Sequence, residues 1–171
     1  MLEKMNRCDF EAVFAIMEAS FPPDERRPIE EQRAFLNEEG FEILVARDGD
    51  AIKGFLSVWH FEKFGYIEHF AVDSAHRNGG LGSRMLQEAV TLLGGRACLE
   101  VEPPQNELTR RRVGFYGRNG FVLNEYPYVQ PPISKGKEPV PLLIMSHGRA
   151  LTAAEFEHCK DVLYRRVYKC R

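Results

Sequence analysis

The chain has 171 residues, enough for one domain with a substantial buried core, and 44% are hydrophobic against 28% charged. Its 23 basic and 25 acidic residues leave a net charge of −2, which excludes a general pull toward nucleic acid or an anionic membrane surface. The longest purely apolar run, Ala12 to Met17, is far too short to span a bilayer, and the acidic start of the chain lacks the pattern of a secretory signal.

Asp9 to Ser20 is predicted as a helix, with Asp9 at its cap and Phe10, Val13, Phe14 and Met17 at helical spacing. Phe21-Pro22-Pro23 ends it. Phe21 to Pro28 (FPPDERRP) reads as a solvated, charged connector, and Pro28 opens a short helix over Ile29 to Leu36. Phe41 to Arg47 is strand-like, Asp48-Gly49-Asp50 supplies a hairpin turn, and Ile52 to Phe61 is the return strand. Tyr66 to Val72 forms a third strand. A helix follows from Leu81, with Met85, Leu86, Ala89, Leu92 and Leu93 recurring at helical intervals until Gly94-Gly95.

Arg96 to Glu102 is the next strand, stopped by Pro103-Pro104. Asn106 to Asn119 is helical. Phe121 to Leu123 and Tyr126 to Val129 read as two short strands, then a polar loop precedes a strand over Leu142 to Met145. Thr152 and Glu155 form a capping box for a last helix, whose stripe is Phe156, Cys159, Leu163, Val167 and Cys170. Strand-helix-strand units point to parallel pairing in the middle of a sheet, and hairpins to antiparallel edges: one α/β domain with a mixed sheet. Trp59, His60 and Tyr126-Pro127-Tyr128 read as core or edge packing. Cys8, Cys98, Cys159 and Cys170 show no CxxC spacing and no histidine cluster, which indicates reduced thiols in a cytoplasmic protein without a metal site.

The chemistry concentrates around HRNGGLGSRML, from His76 to Leu86. A strand, a glycine turn and a helix start together can bind phosphate. The first N–H groups of a helix lack internal partners, and glycine lets an anion approach the backbone. No Lys-Ser or Lys-Thr follows, so this is no P-loop. A GxGxxG frame begun at Gly80 would need a third glycine where Met85 stands.

The frame that fits, Arg77-x-x-Gly80-x-Gly82, resembles the [QR]xxGx[GA] signature of the GNAT acetyltransferases. YIEHFAVDSAHRNGGLGSRML resembles that family's central strand, phosphate loop and helix. RVGFYGRNGFV, from Arg112 to Val122, resembles its later helix, with a tyrosine before a Gly-Phe turn. The resemblance implies a single-domain GNAT fold, a mixed central sheet flanked by helices, over residues 1–149. Residues 150–171 would be a helical extension packed on the domain or on a partner.

It also implies direct transfer of an acetyl group from acetyl-CoA to a small-molecule or peptide amine, without metal, nucleic acid or membrane, in a monomer or homodimer. The alternative is an acyl-CoA-binding sensor of the same fold without catalysis. Arg77, Asn78, Gly79, Gly80, Leu81, Gly82 and Ser83 would hold the pyrophosphate. Phe70, Ala71 and Val72 would pair with the pantetheine amides as a neighbouring strand does. Many members carry asparagine seven residues before the tyrosine; here that position is Thr109, with Asn106 one turn earlier, and either is expected to contact the cofactor.

An amine of pKa ~10.4 must lose a proton before attack, which costs roughly 4–5 kcal/mol near neutral pH. Glu68 is the first candidate for the base, and regular alternation puts it on one face with Tyr66, Phe70 and Val72, opposite His69. Glu100 and Glu102, on one face of the next strand, are alternatives. Tyr116 is the expected acid for the departing thiolate. Asp24 and Glu25 suit a cationic acceptor, and Arg26 and Arg27 a carboxylate.

Overall fold

A computed structural model describes residues 1–170. They fall into two compact units. One comprises Met1–Pro22 and Pro28–Ala97; the other comprises Pro23–Arg27 and the residues from Cys98 onward.

The first unit contains β1 (Leu2–Lys4), α1 (Phe10–Ser20), α2 (Ile29–Phe35), β2 (Phe41–Asp48), β3 (Ala51–His60), β4 (Gly65–Val72) and α3 (Leu81–Leu92). Its strands form an antiparallel ladder in which β1 pairs β2, β2 pairs β3 and β3 pairs β4. β1 has no counterpart among the predicted elements, because three residues carry no readable period. α1 follows a 3-10 turn at Arg7–Asp9, and its predicted stripe, Phe10, Val13, Phe14 and Met17, is buried. Trp59 is fully buried in an aromatic cluster with Phe35, Phe41 and Phe61, as its packing reading requires, whereas His60 is exposed. Burying aromatics of this size supplies about 1.5–3 kcal/mol each.

The second unit contains β5 (Ala97–Val101, from Cys98 on), α4 (Glu107–Arg118), β6 (Phe121–Gln130), β7 (Val140–His147) and α5 (Ala153–Val162). β7 pairs antiparallel with both β5 and β6. The two short strands expected around residues 121–129 are one strand, interrupted by an irregularity between Asn124 and Tyr128. α5 starts at the Thr152–Glu155 capping box and runs into a π turn over Leu163–Val167.

That turn changes the predicted stripe. Phe156, Cys159, Leu163 and Val167 are buried as expected, but Tyr168 is buried and Cys170 exposed. The Tyr168 N–H bonds the Leu163 carbonyl five residues back, one more than in an α-helix, and the extra residue rotates the inward face.

The charged connector is also different from its sequence reading. Arg27 is 1% exposed, and its guanidinium donates to the Val167 carbonyl at 3.2 Å. Gln130 donates to the Asp24 carbonyl at 3.3 Å, so the segment is built into the second unit rather than solvated.

Candidate active site

The glycine turn sits between β4 and α3. Asp73 accepts the Ala75 N–H at 2.9 Å and caps a short 3-10 turn. Arg77 returns to the strand end, its Nε donating to the Val72 carbonyl at 3.0 Å. The chain then takes left-handed conformations at Asn78 (φ 68°) and Gly80 (φ 72°). Both residue types tolerate that region, glycine without strain. Gly80 is the N-cap of α3 and offers no side chain to its first N–H groups. A Cβ on Gly79 would meet nothing within 4 Å, and residues 77–80 are exposed. The result is an open turn with helix-start amides uncapped by the N-cap residue and a cationic side chain beside it. That is the chemistry of an anion cradle.

β4 is not a regular strand. Ser57 pairs with His69 while Val58 pairs with Ile67, so Glu68 is the extra residue of a β-bulge. The Trp59 indole N–H donates to Glu68 Oε2 at 2.8 Å, which puts the carboxylate on the Trp59–Tyr66 face, where Trp59 meets Phe35 of α2. His69 lies on that same face, 4.9 Å from the ring of Phe21 at the end of α1. Gly54, the partner of Val72, aims its missing Cβ at Met85 of α3, so Phe70 and Val72 lie on the opposite face. The alternation expected from sequence therefore holds from Tyr66 to Glu68 and fails beyond. The bulge turns Glu68 away from Phe70 and Val72 and beside His69. Ala71 is buried, and Phe70 and Val72 are half-buried.

In the second unit, Tyr116 is nearly buried on α4, with the rings of Phe115 and Phe121 against it. Its hydroxyl makes no hydrogen bond among the described residues. Burial pushes the phenol up to about 12, partly offset by the positive Arg112. Asn106 and Thr109 are occupied with one another: Asn106 Oδ1 accepts the Thr109 N–H at 2.9 Å, and Thr109 Oγ1 accepts the Asn106 N–H at 3.1 Å. The Thr109 hydroxyl also donates to the Asn106 carbonyl. This reciprocal cap starts α4 and takes up the Thr109 hydroxyl, which was expected to be available to a cofactor.

The two β5 carboxylates differ. Glu102 pairs with Arg112 at 2.5 Å, half-exposed. Glu100 accepts phenol hydrogen bonds on both oxygens, from Tyr128 and Tyr168. Sequence reasoning missed both phenols, because they lie 28 and 68 residues away and Tyr168 turns inward only through the π turn. Glu25, half-buried, has its carboxyl raised, first by burial and then by Glu102, with Arg112 opposing. Cys98 and Cys159 are buried free thiols with Sγ atoms 3.5 Å apart; Cys8 and Cys170 are exposed. Among the described residues there is no group of three or more histidine, cysteine, aspartate or glutamate side chains placed to hold a metal ion. No helix among them is long and apolar enough to cross a membrane.

The family model described as acetyltransferase (GNAT) family matches residues 10–121, a span holding the glycine turn, the bulged strand and Tyr116. The chain belongs to the GNAT acetyltransferase family. A solved structure from Bacteroides thetaiotaomicron, assigned as a GNAT-family acetyltransferase, is 35% identical, covers 100% of this chain and 99% of its own, and superposes with a TM-score of 0.91. The GNAT chain thus has the family's α/β fold, with strands flanked by helices. The ribosomal-protein-S18-alanine N-acetyltransferase from Escherichia coli is similar in fold at 18% identity, with 90% of this chain and 96% of that one covered and a TM-score of 0.63. So is an aminoglycoside 6'-N-acetyltransferase complexed with coenzyme A, at 13% identity, 85% and 95% coverage and a TM-score of 0.64. Among curated proteins none matches. Membership supports acetyl transfer in general.

Proposed function

We propose that this GNAT protein is a cytoplasmic N-acetyltransferase that moves the acetyl group of acetyl-CoA onto a primary amine of a small molecule or peptide, by direct attack in a ternary complex. The observation that carries the reading is the open turn at Arg77–Gly82, with left-handed Asn78 and Gly80 and an N-cap that leaves the helix amides uncapped. Those residues fit a pyrophosphate: the space at Gly79 is empty, and a Cβ at Gly80 would meet only the tip of Arg84, at 4.0 Å.

Acetyl-CoA supplies an activated acetyl group; the rest is work for this chain. Arg77, Asn78, Gly79, Gly80, Leu81, Gly82 and Ser83 bind the pyrophosphate through backbone N–H groups. Phe70, Ala71 and Val72 offer strand backbone to the pantetheine amides. Glu68, oriented by Trp59, takes the proton from the acceptor amine. Tyr116 gives a proton to the sulfur leaving group; its raised pKa keeps it protonated throughout the working range. Asn106 serves by fixing the start of the helix that carries Tyr116. A second reading gives the base to Glu100, favoured by the two phenols that hold its oxygens. Residues 1–149 are read as the acetyltransferase domain and 150–171 as its helical extension.

The test is acetyl-CoA-dependent thiol release over a mixed amine panel, repeated with Glu68→Gln, Tyr116→Phe and Arg77→Ala. The first two lower turnover with CoA affinity nearly unchanged; the third weakens CoA binding first. CoA binding with no amine acetylated, and no effect of Tyr116→Phe, would make the chain a sensor rather than an enzyme.

A further inference from the structure

Two of the four thiols meet in the interior of the second unit. Cys98 on β5 and Cys159 on α5 are 61 positions apart in the chain, yet their Sγ atoms lie 3.5 Å from each other. They are 3% and 4% exposed. Regular structure holds each of them. Cys98 pairs with Ser146 across the ladder between β5 and β7. Along the inward stripe of α5, Cys159 follows Phe156, whose ring stacks on Tyr126 of β6 at 4.7 Å, and precedes the fully buried Leu163. The contact between the sulfurs thus comes from the packing of a helix on a sheet, not from a loop.

A single buried cysteine is a small apolar side chain and fills a core position without chemical consequence. Two in contact can react with each other. A disulfide bond is about 2.05 Å long, so an approach of about 1.5 Å separates this pair from one. In an unfolded chain such a separation in sequence makes the meeting rare; here folding has already closed the loop and met its entropic cost. Burial above all, then the Cys159 contact and the charges of Cys159 and Glu100, hold the Cys98 thiol well above its ordinary range. It is therefore a poor nucleophile toward an outside reagent while the fold is closed.

We propose that Cys98 and Cys159 are a reversible oxidative modification site: when the protein meets a low-molecular-weight disulfide, they close into an intrachain disulfide that ties α5 to β5. The inference goes beyond acetyl transfer and does not depend on it. The step is thiol–disulfide exchange, begun in openings of the fold that expose the pair and completed as the fold recloses. One protein thiol loses its proton and attacks a sulfur of the oxidant; a mixed disulfide forms and half of the oxidant departs as a thiolate. The second protein thiol attacks the protein sulfur of the mixed disulfide, and the other half departs. Two protein thiols are oxidised, one disulfide is reduced to two thiols, and the protons shed by the protein pass to the departing thiolates. In reducing surroundings the pair stays as the free thiols of this structure.

The test measures the effective concentration of one thiol at the other. Wild-type protein alkylated in its native state at the exposed Cys8 and Cys170 keeps the buried pair as its only thiols; Cys8→Ser/Cys170→Ser gives the same pair without alkylation. Each protein is equilibrated in mixtures of reduced and oxidised glutathione, in buffer and in denaturant, starting from the dithiol and from the disulfide so that slow exchange is not mistaken for equilibrium. Acid quenching and mass spectrometry then count the molecules that have lost two hydrogens. The effective concentration in the folded protein should exceed that in the denatured chain roughly 100-fold. By the same thermodynamic cycle, the disulfide form should unfold with an equilibrium constant lower by that factor, read from denaturant titrations of the two forms. An effective concentration no higher in the folded protein than in the denatured chain overturns the proposal and leaves the pair as packing residues only. A disulfide form that unfolds at the same denaturant concentration as the dithiol form, or at a lower one, overturns it as well. Neither result bears on the thiol-release assay, which tests acetyl transfer separately.

Discussion

Replacing Gly80 by alanine sets the glycine turn against its own backbone. Gly80 sits at φ 72°, where an L-residue with an ordinary Cβ costs roughly 1–2 kcal/mol. Sterics add almost nothing, because the nearest atom to the new Cβ is Arg84 Nη1, 4.0 Å away. Gly80→Ala should therefore lower stability by about 1 kcal/mol, or roughly 2–4 °C in Tm for a chain of this size. If the turn escapes the strain by leaving its left-handed conformation, the helix-start amides leave their aim, and CoA affinity should fall by roughly tenfold. Gly80→Asn should recover most of both losses, since asparagine tolerates this region, as Asn78 already does at φ 68°. Gly94→Ala is the control: it has the same φ of 72° and nothing within 4 Å of the new Cβ, but it lies past the other end of α3, so it should lose similar stability and keep its CoA affinity. Thermal melts and calorimetric CoA titrations on the four proteins decide the matter. If Gly94→Ala weakens CoA binding as much as Gly80→Ala, the conformation of the glycine turn is not what binds the anion.

Tyr116→Phe should lower kcat with little change in acetyl-CoA KM, and it should flatten the alkaline fall in stability. With the folded phenol at about 12 against an ordinary 10.0, stability from its burial is intact below about pH 10 and lost as pH rises toward 12. Denaturant titrations of variant and wild type across that window measure the difference, about 3 kcal/mol at most. Trp59→Phe removes the donor to Glu68 Oε2 and should shift the acid limb of turnover upward if Glu68 is the base; an unmoved limb removes Glu68 from that role. Thr152→Ala deletes the N-cap of α5 and should cost about 1 kcal/mol, visible as a lower Tm. In the native protein a thiol reagent should modify Cys8 and Cys170 rapidly, with Cys98 and Cys159 reacting only after unfolding.

The strongly periodic elements were legible in the sequence. α1, α3 and α4 carry apolar stripes with caps or glycine stops, and the hairpin around Gly49 carries its turn residue. The glycine turn was legible because it depends on local conformation, which glycine and asparagine betray. What stayed hidden depends on partners far along the chain. The face of Glu68 was misread because alternation assumes a regular ladder, and the bulge that breaks it is defined by β3 as much as by β4. The burial of Arg27 was misread because a charged residue among prolines and acids looks solvated until the Val167 carbonyl is found beside it. The phenols on Glu100 were invisible for two reasons. Their pairing spans most of the second unit, and the π turn shifts the helical phase so that Tyr168 faces inward where Cys170 was expected.

The bond from Arg27 to the Val167 carbonyl joins residues 140 positions apart. During synthesis the arginine emerges 140 residues ahead of its acceptor, so the second unit stays incomplete until Val167 has left the ribosome. A contact that long adds to the loop-closure entropy that folding must overcome, and it raises the mean sequence separation that slows folding. A fragment beginning at Cys98 would lack the buried guanidinium, and one ending before Val167 would lack the carbonyl that accepts its hydrogen bond. The second unit thus depends on a five-residue segment, Pro23–Arg27, that precedes the rest of it by about 70 residues of the first unit.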